Sequence, residues 1–317
     1  MPGQLKISIT GEAGWNELFT SSRSRVPFMS SVYVNAISKA FGYSNDYVVV
    51  ESDGKAIAGL CVYFQKKAGV KFNVHPALTP YNAVVYSGSL NSDDLLPVNK
   101  MLAEFVRTHY VYPYFLLDTL AENTNAFTQD GWNVLSGKTY LMNPAKDTPD
   151  ADIRRRARKC EAEGFYISNE YNASWFWQLY SGTMLRQAIN LHITQQKMIE
   201  LIDAVAPVCK MYSSFDKENK LHACWIQAGC DNNIIYNWNA ASDIELLSKG
   251  GTPFLVTHII KDLNDRKIST WDLCGADHPS VARFKGSIGG QLATYSKINY
   301  SSYSLLKKVQ YRLLRFF

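Results

Sequence analysis

The chain has 317 residues, 46% of them hydrophobic and 19% charged, and a formal charge of +5. That composition excludes a disordered chain, no apolar run reaches the roughly 18 residues of a membrane span, and the length favours two domains of about 150 residues. Lys307, Lys308, Arg312 and Arg315 supply four of the positive charges from the last eleven residues, so the rest is nearly neutral and a nucleic-acid binder with a whole basic face is not indicated.

The segment LKISI (5–9) alternates as a strand, and GWNELFTSS (14–22) and SSVYVNAISKAFG (30–42) predict short helices. YVVVES (47–52) and KAIAGLCVYFQKK (55–67) flank Asp53-Gly54, the signature of a hairpin. A helix from about Asp93 to His109, a strand YFLLDT (114–119), a short helix near Asn125 and a strand GKTYLM (137–142) complete the first half.

NPAKDTPD (143–150), with two prolines and two aspartates, suits a linker, and beyond it the order largely repeats. Helices at 151–164, 173–187 and 195–206 lead into a second hairpin over 209–229, and Lys55 and Lys220 stand at equivalent places in the two hairpins. Each hairpin is followed by a strand, a helix, a strand ending in Asp (Asp118, Asp272), a small helix and a last strand. The pattern predicts an internal duplication of a mixed sheet flanked by helices, an α/β or α+β fold twice over.

Six cysteines show no CxxC and six histidines no HxxxH or HxH, so no metal is expected. The start MPGQLKISIT lacks a basic-then-apolar leader, which points to a cytoplasmic protein with its cysteines as small buried hydrophobes. GKT at 137–139 fails as a P-loop because Trp132 stands where a glycine is needed. GxGxxG and GxSxG are missing, which leaves dinucleotide and serine-nucleophile chemistry no foothold.

Five segments carry candidate chemistry. IRRRARKCEAEG (153–164) sets Arg154, Arg155, Arg156, Arg158 and Lys159 around a stripe of Ile153, Ala157 and Cys160. The run is either a solvated face or a place where a guanidinium forks onto phosphate or carboxylate. Arg186 lies three residues after Thr183 on a helix rich in rings (Trp175, Phe176, Trp177, Tyr180) and either stacks on them or faces a ligand. In NIIYNWNAAS (233–242) Asn237 and Asn239 share a strand face that is either solvated or holds an acyl carbonyl in a cleft. Gly250, Gly251 and Thr252 precede a helix with Pro253 in its first turn: ordinary initiation, or an anion site for a cofactor's pyrophosphate. In STWDLCGADHPSVARFKGSIGG (269–290) Asp272 ends a strand, Gly275 permits a sharp departure, and a short helix delivers Phe284 and Lys285 to the sheet's end.

With these segments in hand the chain resembles the FemABX-like branch of the GNAT acyltransferase superfamily. LTPYNAVVYSG (78–88), IRRRARKCEAEGFYI (153–167), FWQLYSGTMLRQ (176–187), TPFLVTHII (252–260) and WDLCGADHPSVARFKGSIGG (271–290) carry the resemblance over nearly the whole length. The last is the most specific, with a strand ending in Asp, a glycine soon after, and then Phe-Lys. The resemblance implies two tandem GNAT-like α/β (α+β) domains, 1–147 and 148–317, each a mixed, mostly antiparallel sheet flanked by helices. It also implies acyl transfer to an amine, from acyl-CoA (acetyl-CoA) or from aminoacyl-tRNA, the acceptor being a small-molecule, lipid-linked or nucleotide-linked amine of a cell-envelope precursor. The long helical arm of many tRNA-dependent members has no counterpart here, which favours acyl-CoA. By resemblance Phe284 offers its backbone carbonyl and Lys285 its charge at the transfer site, Arg186 binds the acceptor's anionic group, and Tyr81 stands at the domain interface. Asn237 and Asn239 replace tyrosines of several relatives, so a different acceptor is expected.

The chemistry suits such a chain independently. An amine of pKa near ~10 must lose a proton and the tetrahedral intermediate needs donors already in place, which backbone groups can supply without a Ser or Cys nucleophile. Lys285 would stabilise the oxyanion, and Asp272 is either a base or a loop-bonding carboxylate. A module that keeps the cleft without the chemistry is the competing reading. In SLLKKVQYRLLRFF (304–317) Leu306, Val309, Leu313 and Phe316 face away from Lys308, Arg312 and Arg315. A final helix over 302–317 therefore either packs on the first domain or rests on the anionic inner face of the membrane.

Overall fold

A computed structural model of the chain describes residues 4–121, 124–127, 131–186, 193–230, 233–303 and 307. The chain divides into two compact units, Met1–Gly137 with Thr294–Phe317, and Lys138–Ala293. The division falls inside a strand, ahead of the boundary read at 147/148, and the residues from 294 onward go with the first unit. The basic C-terminal helix expected over 302–317 lies almost wholly outside the described residues.

The first unit contains β1 (Leu5–Thr10), α1 (Glu12–Thr20), α2 (Ser31–Phe41), β2 (Ser44–Ser52), β3 (Lys55–Lys67), β4 (Val70–Asn73), β5 (Val85–Tyr86), α3 (Leu95–His109) and β6 (Tyr114–Leu117), then the start of β7 (Trp132–Met142). Strands run β1-β2-β3-β4, all antiparallel, with β5 on the other end of β3. The predicted hairpin forms because Asp53 (φ 52°) and Gly54 (φ 76°) both enter the left-handed region that a two-residue turn of matching twist requires. Ser30 begins α2 by accepting the Tyr33 N–H on its hydroxyl. Leu95, Val98, Leu102 and Val106 form the apolar stripe of α3 and pack on Val48, Val50, Leu60 and Val62.

The second unit takes the end of β7, then α4 (Ala151–Ala162), β8 (Tyr166–Ser168), α5 (Ala173–Arg186), α6 (Gln195–Ala204), β9 (Cys209–Phe215), β10 (Leu221–Gly229), β11 (Ile234–Ser242), α7 (Gly251–Asp265), β12 (Thr270–Asp272), α8 (Pro279–Ser287) and the start of β13 (Gln291–Tyr300). Its strands run β7-β12-β11-β10-β9-β8. Leu255, Val256, Ile259 and Leu263 of α7 pack on Tyr212, Ala223, Trp225 and Trp271 of the sheet. Ile153, Ala157 and Cys160 are the buried stripe of α4, as the spacing predicts. From Thr294 onward β13 belongs to the first unit, where it pairs antiparallel with β6 from Ser296↔Leu117 to Asn299↔Tyr114. Each unit is thus a mostly antiparallel sheet with flanking helices, the expected fold class.

Two irregularities shape the second sheet. β11 and β12 form a parallel pair whose register runs Ile234↔Thr270, Ile235↔Trp271, Tyr236↔Asp272 and then stops, while β11 continues beside β10 to Ser242. On the β10 side the register jumps from Ile226↔Asn239 to Gln227↔Asn237, leaving Trp238 as an extra residue, a bulge that bends and twists its strand. The sheet therefore opens at the C-terminal end of its parallel pair, the place where open sheets take ligands.

Candidate active site

The chain leaves β12 in a conformation that most residues avoid. Cys274 (φ 49°) and Gly275 (φ 42°) are consecutive left-handed residues, and for a cysteine that geometry persists only where its surroundings impose it. Two side chains do so. The Asp272 carboxylate, fully buried, accepts on Oδ1 from the Cys274 N–H (2.8 Å) and from the Thr139 hydroxyl (2.6 Å). From α8 the half-buried Lys285 reaches back and donates through Nζ to the carbonyls of Leu273 (2.6 Å), Cys274 and Gly275 (2.8 Å). Three successive carbonyls thus converge on one ammonium. Burial lowers the Lys285 pKa from its ordinary value, while the Asp272 charge opposes that shift.

N–H groups on the same turn are partly committed. Leu273 donates to the Tyr140 carbonyl (2.9 Å) and Ala276 to that of Lys138 (2.6 Å), tying the turn to β7. Gly275 is exposed, and its N–H has no partner among the described residues. A donor adjacent to an ammonium, in a backbone already fixed, suits an incoming carbonyl or oxyanion.

Beside the turn, Trp271 Nε1 donates to Gln227 Oε1 (2.6 Å), and Gln227 Nε2 donates to Asn237 Oδ1 (2.9 Å). Asn237 is 4% exposed and follows Tyr236, the register partner of Asp272. The expected solvated-or-cleft face is therefore buried at Asn237, with its amide held by the bulge's own Gln227. Phe284 sets its ring edge to face on Trp225 (6.2 Å between centroids) and packs on the core below the turn. Asp272, Lys285, Phe284 and Asn237 thus come together in the second unit. Asn239 lies further along β11, half-buried.

Other expected residues are placed differently. Tyr81 is 1% exposed within the first unit, where its ring meets Phe28 (6.3 Å) and Tyr295 (5.4 Å). Arg186 ends α5, and its side chain lies outside the described residues. The pyrophosphate site expected at Gly250, Gly251 and Thr252 falls on three buried residues. A Cβ on Gly251 would overlap the His222 side chain, and one on Gly250 (φ 96°) would come within 2.9 Å of Cys160 Sγ on α4. The Thr252 hydroxyl donates to that of Ser242 (2.9 Å). The glycines are there because α4 and His222 press against the start of α7. Among the described residues no group of three or more His, Cys, Asp or Glu could hold a metal ion.

Thr139, Gln227, Trp271 and Cys274 were not singled out by sequence. Thr139 sits in the GKT run dismissed as a P-loop, and its alternation with Gly137 along β7 is the one signal that it points inward.

No family model and no curated protein sequence matches the chain. Solved structures do. FemX superposes with a TM-score of 0.68 at 11% identity, over 92% of this chain and 96% of that one. The C-terminal domain of a putative lysylphosphatidylglycerol synthetase from Agrobacterium fabrum gives 0.60 at 10%, over 92% and 93%. A tandem GNAT protein from the clavulanic acid biosynthesis pathway gives 0.52 at 11%, over 94% and 98%. The chain has the tandem GNAT fold. Within that fold the second GNAT-like unit is where Asp272, Lys285, Phe284 and Asn237 assemble.

Proposed function

We propose that the chain is an N-acyltransferase that moves an acyl group from a carrier to an amine on a cell-envelope or polysaccharide precursor, and that transfer takes place in its second unit. The observation supporting this reading is the left-handed turn at Cys274–Gly275, held by Asp272 and Lys285 where β11 and β12 part. FemX, lysylphosphatidylglycerol synthetase and the tandem GNAT protein share the fold and lend it support.

In the step proposed, the neutral amine attacks the acyl carbonyl carbon, a C–N bond forms, and the bond to the carrier's sulfur or oxygen breaks. The amine's proton ends on the leaving group, giving an amide and a free thiol or hydroxyl. Gly275 N–H is the donor for the oxyanion, and the Lys285 ammonium adds its field while holding the turn. All three Lys285 protons are engaged by carbonyls, so the ammonium positions the donor before it contacts substrate. Asp272, bonded to Thr139 and Cys274, acts as the loop-bonding carboxylate that favours the charged lysine. Reaction in the cytoplasm, at the inner face of the membrane, fits a lipid-linked acceptor. Among the described residues no helix is long and apolar enough to cross a membrane.

Acyl-CoA is the simplest carrier. One observation favours aminoacyl-tRNA instead: buried Gly250–Thr252 take the start of α7 out of use for a CoA pyrophosphate. Calorimetric titration with acetyl-CoA, followed by amine-dependent deacylation of aminoacyl-tRNA, separates the two. Heat from the first identifies acyl-CoA, and deacylation without that heat identifies tRNA. Silence in both overturns the enzyme reading and leaves a binding module.

A further inference from the structure

Helices α4 and α7 leave a cleft of about 500 Å³ between them. Its floor includes Ala157, a member of the buried stripe whose methyl is too small to fill the space. Arg154 and Arg158 stand on one wall, one helical turn or ~6 Å apart along the axis. Lys261 and His258 stand on the other.

The cations of α4 differ in how they are compensated. Arg155 pairs with Asp152, Lys159 with Glu163, and Arg156 donates to the Leu247 carbonyl. Among the described residues the two that line the cleft have only backbone partners, Arg154 Nε with the Pro149 carbonyl (3.0 Å) and Arg158 Nε with that of Arg154 (3.4 Å). Neither of them, nor Lys261, has a carboxylate partner among the described residues. Among the described residues Glu161 is the one acid lining the cleft. Like charges four residues apart oppose a helix, so an uncompensated pair facing a third cation across a cleft marks a place for an anion with several oxygens. Guanidinium forks match phosphate in particular, and the half-buried Phe254 ring adds an apolar wall.

We propose that the α4–α7 cleft is a binding site for the phosphate groups of a phosphorylated ligand. Two sources share that chemistry, a free nucleoside diphosphate and the backbone of an RNA strand. Calorimetry on the full chain with inorganic pyrophosphate, a nucleoside diphosphate and a short single-stranded RNA tests the site and separates the sources. Pyrophosphate should bind, more weakly as salt rises, and about tenfold more weakly in Arg158→Glu and in Lys261→Glu, each a charge reversal at an exposed residue. Unchanged thermal melting of both variants shows that the fold is kept.

His258 supplies a second readout. Burial lowers its pKa, and it faces Asp262 and Lys261 on α7, Lys210 and Tyr212 on β9, and Arg154, Arg158 and Glu161 on α4. A bound phosphate adds negative charge, so its titration followed by NMR should move to higher pH. A nucleoside diphosphate that binds more tightly than pyrophosphate, with the same sensitivity to the variants, assigns the free nucleotide. RNA that binds with that sensitivity, with no gain from the nucleoside diphosphate, assigns the strand. No pyrophosphate binding, or binding indifferent to both substitutions, overturns the proposal. None of these measurements involves acyl transfer, so failure here leaves the transfer site standing, and the reverse holds as well.

Discussion

The first unit closes with its own chain the region that the second leaves open. Between β4 and β5 the first unit inserts residues 74–84, and that excursion turns inward. Tyr33 donates to the Leu78 carbonyl (2.6 Å), the His75 Nδ1–H donates to Asn82 Oδ1 (2.7 Å), and the Asn82 N–H donates to the Leu116 carbonyl (2.6 Å). Thr79, Tyr81 and Asn82 are buried as a result. In the second unit β11 runs through unbroken apart from its bulge, β12 stops short, and the turn that follows exposes Gly275. One architecture thus appears as a plugged copy and an open one, which is why chemistry is assigned to the second.

The strongest way to break that contrast is Lys285→Ala. Without the ammonium three carbonyls lose their common donor, and turnover in an acyl-transfer assay should fall about 10²–10³-fold, the scale of a lost oxyanion donor. A variant with full turnover removes the assignment. The alkaline limb of the wild-type pH–rate profile should lie below the ordinary lysine value of 10.5, because burial lowers the Lys285 pKa and the charged form is lost as pH rises.

Asp272→Asn and Asp118→Asn form a matched pair, one at each corresponding strand end. The first should lower turnover up to about a hundredfold by loosening the turn and move the alkaline limb to still lower pH, since the Asp272 charge supports the ammonium. The second should leave turnover within about twofold, because it lies in the plugged copy; equal losses would erase the distinction.

Trp271→Phe and Trp15→Phe each delete one buried indole N–H bond, to Gln227 and to the Met29 carbonyl respectively. Each should cost about 1–3 kcal/mol in denaturant unfolding, since a buried acceptor is left unmade. Only Trp271→Phe should also lower turnover, through Gln227 and Asn237. The smallest effect belongs to His75, which burial keeps neutral by lowering its pKa from 6.5. The unfolded chain then takes up the proton more readily, so stability is level above about pH 7 and declines as pH falls through 6.5. His75→Asn should flatten that decline by a fraction of a kcal/mol, measured as unfolding midpoints between pH 7 and 5.

Much of this was legible in the sequence because short-range rules act alone there. Asp53-Gly54 specifies a turn, Ile153-Ala157-Cys160 specifies a buried helix stripe, and WDLCG followed by Phe-Lys sets a strand end against a helix. What escaped depends on distant partners. Gly250-Gly251-Thr252 reads alike whether the glycines admit an anion or admit His222 and Cys160, and tertiary packing decides. The bulge at Trp238 is visible only against β10, and β8, with three residues, is too short to show any periodicity. Cys274 gives no hint of its left-handed backbone, which Asp272 and Lys285 impose from outside.

The discontinuity of the first unit carries a consequence for biosynthesis. Ile298 sits in its hydrophobic core and the strand around it is the neighbour of β6. A chain leaving the ribosome therefore holds its N-terminal portion incomplete until residues 294–300 have emerged, after the whole of 138–293 has been made. The half translated first is the half finished last, and a fragment cut at the linker would be missing a piece of its own interior.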